Sequence, residues 1–72
     1  MKEPKRYLYR HQADSAIFSI MAHSPRDTAD SFFSCVFANQ VWVRLDSPGS
    51  KWVLFRLVDG KATRAKSLDV GV

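Results

Sequence analysis

Cysteine is nearly absent from this chain: Cys35 is the only one in 72 residues. An intramolecular disulfide is excluded, so a domain this small must be held by packing or by a partner, without covalent staples. A single unpaired thiol fits a reducing cytoplasm better than an oxidising compartment. Long apolar runs are missing too. The segment Met1-Lys2-Glu3-Pro4-Lys5-Arg6 is charged, and no stretch long enough for a signal peptide or a membrane span follows it. A cytoplasmic protein without membrane contact is therefore expected. There is no Gly-rich phosphate loop, no nucleophile elbow, no CxxC or HxxxH spacing, no internal repeat and no low-complexity tract.

What is present is ordinary for a folded domain. Apolar residues make up 46% and charged residues 25%, enough for one domain with one small core. The net charge is +4, from 11 Lys+Arg against 7 Asp+Glu, which steers anionic partners toward the chain. The charge is uneven. Lys2, Lys5, Arg6 and Arg10 crowd the first eleven residues against Glu3 alone, and Lys61, Arg64 and Lys66 form a second basic strip with only Asp69 after it. Lys5, Arg6 and Arg10 are candidates for holding an anion, weighed against the plainer reading of solvated faces.

The chain reads as strand, strand, helix, strand, strand, strand. Lys5 to His11 alternates, with Tyr7 and Tyr9 on one side and Arg6, Leu8 and Arg10 on the other. Gln12 to Ser15 reads as a turn. Ala16 to Ala22 reads as a strand with Phe18, Ile20 and Ala22 on one face, although Ile17, Ile20 and Met21 also fit a helix capped by Asp14; aromatic and β-branched content favours the strand. A helix is expected from Pro25 to Ala38. Ser24 caps it, Pro25 suits its first position, and Asp27 completes a relative of the capping box. Asp27 and Asp30 sit near its positive end. Ala29, Phe32, Phe33, Val36 and Phe37 share a face that this reading buries, Cys35 packs beside them, and Asn39 ends the helix in a left-handed conformation. The expected fold is two-layer α+β: one antiparallel sheet of about five strands in ββαβββ order, with one helix across one face.

Gln40 to Lys66 is the most informative stretch. It reads as a three-strand meander, turning at Ser47-Pro48-Gly49-Ser50 and at Asp59-Gly60, the latter a two-residue hairpin signal. The first turn leaves two registers open. With a bulge, Val41, Val43, Leu45, Val53, Phe55 and Leu57 share the apolar face, and Trp42, Arg44, Trp52, Leu54 and Arg56 share the other. With a tight turn, Trp52, Leu54 and Val58 join Val43 and Leu45 in the core, because a one-residue slip exchanges the faces. The bulged register is preferred because it keeps Arg56 out of the core; Arg64 and Lys66 then lie at a sheet edge or beyond the helix. Trp42 and Arg44 are on the open face either way.

Trp42, Arg44, Trp52 and Arg56, with Arg64 and Lys66, are therefore the candidate partner-binding residues. Trp and Arg combine large contact area with directed polar contacts and are enriched at binding hot spots. They also stack bases and meet phosphates, and in the plainer reading they cover each other by cation–π contact. A protein partner is favoured over a nucleic acid, since the Gly- and Phe-rich signature of the RNA-reading sheets is missing. His11, His23 and Cys35 lack metal-ligand spacing, so no metal, no cofactor and no catalysis are expected, and Cys35 has no activating neighbour.

From Ala16 to Lys66, a strand, a capped helix and a three-strand meander turning on Asp59-Gly60 in a very short basic chain resemble the small phage-encoded anti-CRISPR proteins, in particular type I-F inhibitors that lay a helix on a curved antiparallel sheet. The likeness is one of architecture and size and carries over no residue. It implies a non-enzymatic inhibitor that binds a host protein or ribonucleoprotein in the host cytoplasm and occludes a site where that complex meets DNA. The alternatives are a small basic nucleic-acid-binding accessory protein and a homodimer whose open faces pair; monomer and homodimer both remain open.

Overall fold

The computed structural model describes residues 3–12 and 16–65. Five strands and a helix follow in the order β1 (Lys5–Arg10), β2 (Phe18–Ala22), α1 (Pro25–Cys35), β3 (Gln40–Leu45), β4 (Val53–Val58) and β5 (Lys61–Arg64). The strands form one antiparallel sheet in the order β2-β1-β3-β4-β5, and α1 lies across one face, touching every strand. This is the expected two-layer α+β fold. Lys2, Ala13, Asp14, Ser15, Lys66 and Asp69 fall outside the described residues, and with them most of the turn expected at Gln12 to Ser15.

Alternation decides which side chains meet the helix. Tyr7 pairs with Ile20 and Leu45, Tyr9 with Phe18 and Val43, and Val41 with Phe55. These positions all face α1. Val41, Val43 and Ala29 are fully buried, and Tyr7, Ala22, Phe32, Phe55 and Ala62 complete the core. Tyr9 and Phe33 stack edge-on against the Phe32 ring, at 5.8 and 5.5 Å between centroids. Removing such side chains from water supplies ~1.5–3 kcal/mol each, and a chain this short has few of them.

The helix starts as its sequence requires. Ser24 Oγ accepts from Asp27 N at 3.0 Å, and Asp27 Oδ2 accepts in return from His23 N at 3.1 Å. Two donors without intrahelical partners are thereby satisfied reciprocally. The Thr28 hydroxyl donates to Ser24 O, which allows Thr28 to be buried.

The other end departs from expectation. The helix stops at Cys35, and Val36 is already extended at φ −125° and ψ 132°. Asn39 does not take the left-handed conformation; Asp59 is the one non-glycine residue with positive φ among the described residues. Strand pairing wins over helix continuation here: Asn39 O accepts from Leu57 N at 3.0 Å, which commits the backbone to the sheet one residue before β3. As a result Val36 is exposed, Phe37 is fully exposed, and the Cys35 thiol is at the surface instead of packed. The stripe expected to bury five residues buries Ala29 and Phe32 fully and Phe33 in part.

Candidate functional site

The β3–β4 connection sets the face opposite the helix. Pro48 precedes Gly49, whose φ is +84°, and Ser50 N donates to Ser47 O at 3.2 Å. A glycine with positive φ after proline is the arrangement of a type II turn. The resulting register pairs Val41 with Phe55, Trp42 with Leu54 and Val43 with Val53, which is the bulged alternative. Trp42, Arg44, Leu54 and Arg56 therefore point away from the helix. At the other turn, Asp59 and Gly60 have φ of 51° and 76° and join Val58 directly to Lys61, as a two-residue hairpin with two left-handed positions does.

Trp52 immediately precedes β4 and shares this side. The Arg10 guanidinium carbon lies over its ring, 4.4 Å from the centroid, and that of Arg44 at 5.3 Å. Arg10 comes from β1, where it pairs with Trp42. One indole thus organises arginines from two strands. Each such contact is worth ~0.5–1 kcal/mol at an exposed site. A guanidinium lying on a ring holds its N–H donors in its own plane, the geometry that matches a carboxylate or phosphate. One donor of Arg44, Nη1, holds Leu45 O at 3.1 Å, which further fixes the fork.

Leu54 gives this face a small apolar base. It is only 3% exposed although it points away from the helix. Trp42 stands opposite it and Trp52 two residues before it. The tryptophans therefore both cover Leu54 and present their half-exposed outer surfaces.

Alternation adds Arg6 from β1 and Lys61 from β5 to Arg10, Arg44 and Arg56. Among the described residues, five Lys and Arg share this sheet face. Asp46, whose N–H donates to Arg6 O at 3.0 Å, brings a carboxylate to one corner. Asp27 and Asp30 ride on α1, in the other layer. The Arg10 and Arg44 charges lie within about 10 Å of one another, no farther than a Debye length, and repel by ~0.4 kcal/mol even at the dielectric of water. An anion placed between them relieves that repulsion.

The remaining sequence-derived candidates separate. Lys5 pairs with Ala22 and faces the helix side, so Lys5, Arg6 and Arg10 are not one patch. Arg64 pairs with Phe55, which sets it on the helix side at the sheet edge, beside Ser24, Pro25 and Arg26. It does not join Trp42 and Arg44. Lys66 lies outside the described residues. His11 packs its ring 5.8 Å from Phe32, and His23 belongs to the helix cap. Among the described residues no three of His, Cys, Asp and Glu come together, and no helix is long and apolar enough to cross a membrane.

One feature escapes the sequence reading. The early helix end opens a groove of about 610 Å³ lined by Phe33, Val36, Phe37 and Leu57, with His11 and Asn39 as its polar members. The low helix propensity of Val36 and Phe37 was the available signal. No family model matches the chain, and neither does any curated protein or any solved structure.

Proposed function

We propose that this chain is a non-enzymatic binding protein whose open sheet face covers an anionic surface of a host protein or ribonucleoprotein, as an inhibitor of the kind its resemblance to anti-CRISPR proteins implies. The observation that carries the reading is the pair of arginines held over Trp52. Arginine stays charged at any physiological pH and donates hydrogen bonds without moving protons. A face of Arg, Trp and Leu therefore recognises and covers; it offers no general base or nucleophile. Preorganised forks also lose less side-chain entropy on binding than free ones. A nucleic acid would present the same anionic chemistry, which makes the accessory nucleic-acid protein the second reading.

The test uses bacteria that carry a type I-F CRISPR defence. Expression of the chain should restore plaquing by a targeted phage. Arg44→Glu with Arg56→Glu should abolish that effect while the chain still melts cooperatively as a folded domain, because both substitutions leave Trp42 opposite Leu54. Unchanged plaquing with the wild-type chain removes the inhibitor reading. Binding of single-stranded DNA or RNA below micromolar at physiological salt, with a slope of log affinity on log salt approaching roughly −3.5 for five cations, supports the accessory reading in its place.

A further inference from the structure

The two edges of the sheet are built differently. β5 carries Lys61 and Arg64 in four residues, the charged edge that keeps strands from pairing with strangers. β2, Phe-Ser-Ile-Met-Ala, has no charge and no proline. Its edge displays apolar side chains on both faces of the sheet: Ile17, Phe18 and Met21 are each more than half exposed. Phe18 and Ile20 lie on the helix side, and Ser19 and Met21 on the open side.

From this edge we infer that a second copy of the chain pairs with β2, antiparallel and about a two-fold axis at Ser19, so that two sheets join into one of ten strands. Opposite residues in an antiparallel pair share a face, which restricts the register to one that preserves both faces. With Ser19 opposite Ser19 of the second copy, Phe18 meets Ile20 on the helix side and Ile17 meets Met21 on the open side, each contact made twice. Every exposed apolar side chain of the edge thereby finds an apolar partner. Backbone donors and acceptors along the edge are satisfied in the same step.

Charge permits self-pairing at this edge and opposes it at the other. Two β5 edges would bring Lys61 and Arg64 of both copies together. At β2 the nearest cations on the open side are Arg6, in register with Met21, and Arg10, which the same register sets opposite Ile17. In the proposed pairing Arg10 of each chain faces Arg6 of the other across three strand spacings, about 14 Å, beyond the ~8–10 Å Debye length. Pairing consumes both β2 edges, so the assembly closes at two chains and leaves only the charged β5 edges outside. The axis runs perpendicular to the sheet, so both open faces point the same way.

The weight-average mass by sedimentation equilibrium tests this. The wild-type chain should rise with concentration from 8.2 kDa toward twice that value. Ile17→Lys with Met21→Lys should hold it at the monomer mass, because lysines then stand opposite one another twice. Ile17→Lys with Met21→Glu should restore the dimer, because each lysine then faces a glutamate; disruption of the fold would not be rescued in this way. A wild-type chain that remains a monomer at millimolar concentration overturns the inference, as does a dimer that persists in the double-lysine variant or fails to return in the charge-paired one.

Discussion

Trp52→Ala is the perturbation that reaches furthest into the site. Arg10 and Arg44 stand 4.4 and 5.3 Å from the ring centroid, so the substitution removes two cation–π contacts worth ~0.5–1 kcal/mol each. It also uncovers part of Leu54, which is buried on that face. The total falls below the ~3–5 kcal/mol of a full core truncation, because Trp52 is only half-buried; about 2 kcal/mol is expected. For a domain of this size that lowers the melting temperature by roughly 8–16 °C. Melting alone does not isolate the contacts, since Arg44 also donates to Leu45 O. Double-mutant cycles of Trp52→Ala with Arg10→Ala and with Arg44→Ala do isolate them. Each should return a coupling of ~0.5–1 kcal/mol, the larger for Arg10, whose guanidinium is nearer the ring. Freed arginines must then be ordered by the partner, so affinity for an anionic target should fall by about 5–30-fold. Couplings indistinguishable from zero in both cycles would refute the reasoning, because the arginines would then not be organised by the indole in solution.

Two further predictions concern the helix. Phe32→Ala should cost ~3–5 kcal/mol, a large part of the stability of a 72-residue domain, and leave the chain largely unfolded by circular dichroism at room temperature; Phe37→Ser, at a fully exposed position, should shift the melt by no more than ~4 °C. Equal destabilisation by the two would show that the helix runs through Phe37. Ser24→Ala removes the acceptor for Asp27 N and should lower stability by about 1 kcal/mol, read as a loss of roughly 4–8 °C in the melting temperature; an unchanged melt would mean that the cap is not formed.

The element order and the sheet faces were legible because two periodicities speak plainly in this chain. Tyr7 and Tyr9 alternate with Arg6, Leu8 and Arg10, and the pairing confirms both sides. The Asp59-Gly60 turn was legible because few residue pairs accept two left-handed positions in succession. The β3–β4 register was narrowed by a physical argument, since only one register keeps Arg56 out of the core, and that register forms. The helix end was not legible, because the apolar periodicity runs on past Cys35 through Val36 and Phe37. Periodicity records which residues suit a common face, and carries no information on where strand pairing begins; the Asn39–Leu57 bond decides that point. The gathering of Arg10 with Trp52 was not legible either. The two are 42 positions apart, and their contact depends on β1 lying beside β3, a neighbourhood set by the path of the helix over the sheet.

That topology has a consequence for charge. β1 is a central strand, between β2 and β3, and a central strand normally carries apolar side chains on any buried face and tolerates polar ones only on a wet face. Here its wet side holds Arg6 and Arg10, directly beside the Arg44 side of β3. The cations are thus concentrated in the middle of the sheet, and the helix carboxylates Asp27 and Asp30 are held off by the thickness of the core. Like charges on one face repel, and the indole contacts outweigh the repulsion between Arg10 and Arg44 by only about 1 kcal/mol. What the arrangement supplies is a surface whose arginines are held in place by Trp52, and in the proposed reading an anionic surface that covers it relieves the remaining repulsion. If two chains join at β2, the central strands of both sheets face the same direction, and one anionic target of sufficient length meets both arginine clusters at once. Binding would then be reinforced by effective concentration, so the dimer should bind an anionic target that spans both arginine clusters at least tenfold more tightly than one that spans a single cluster.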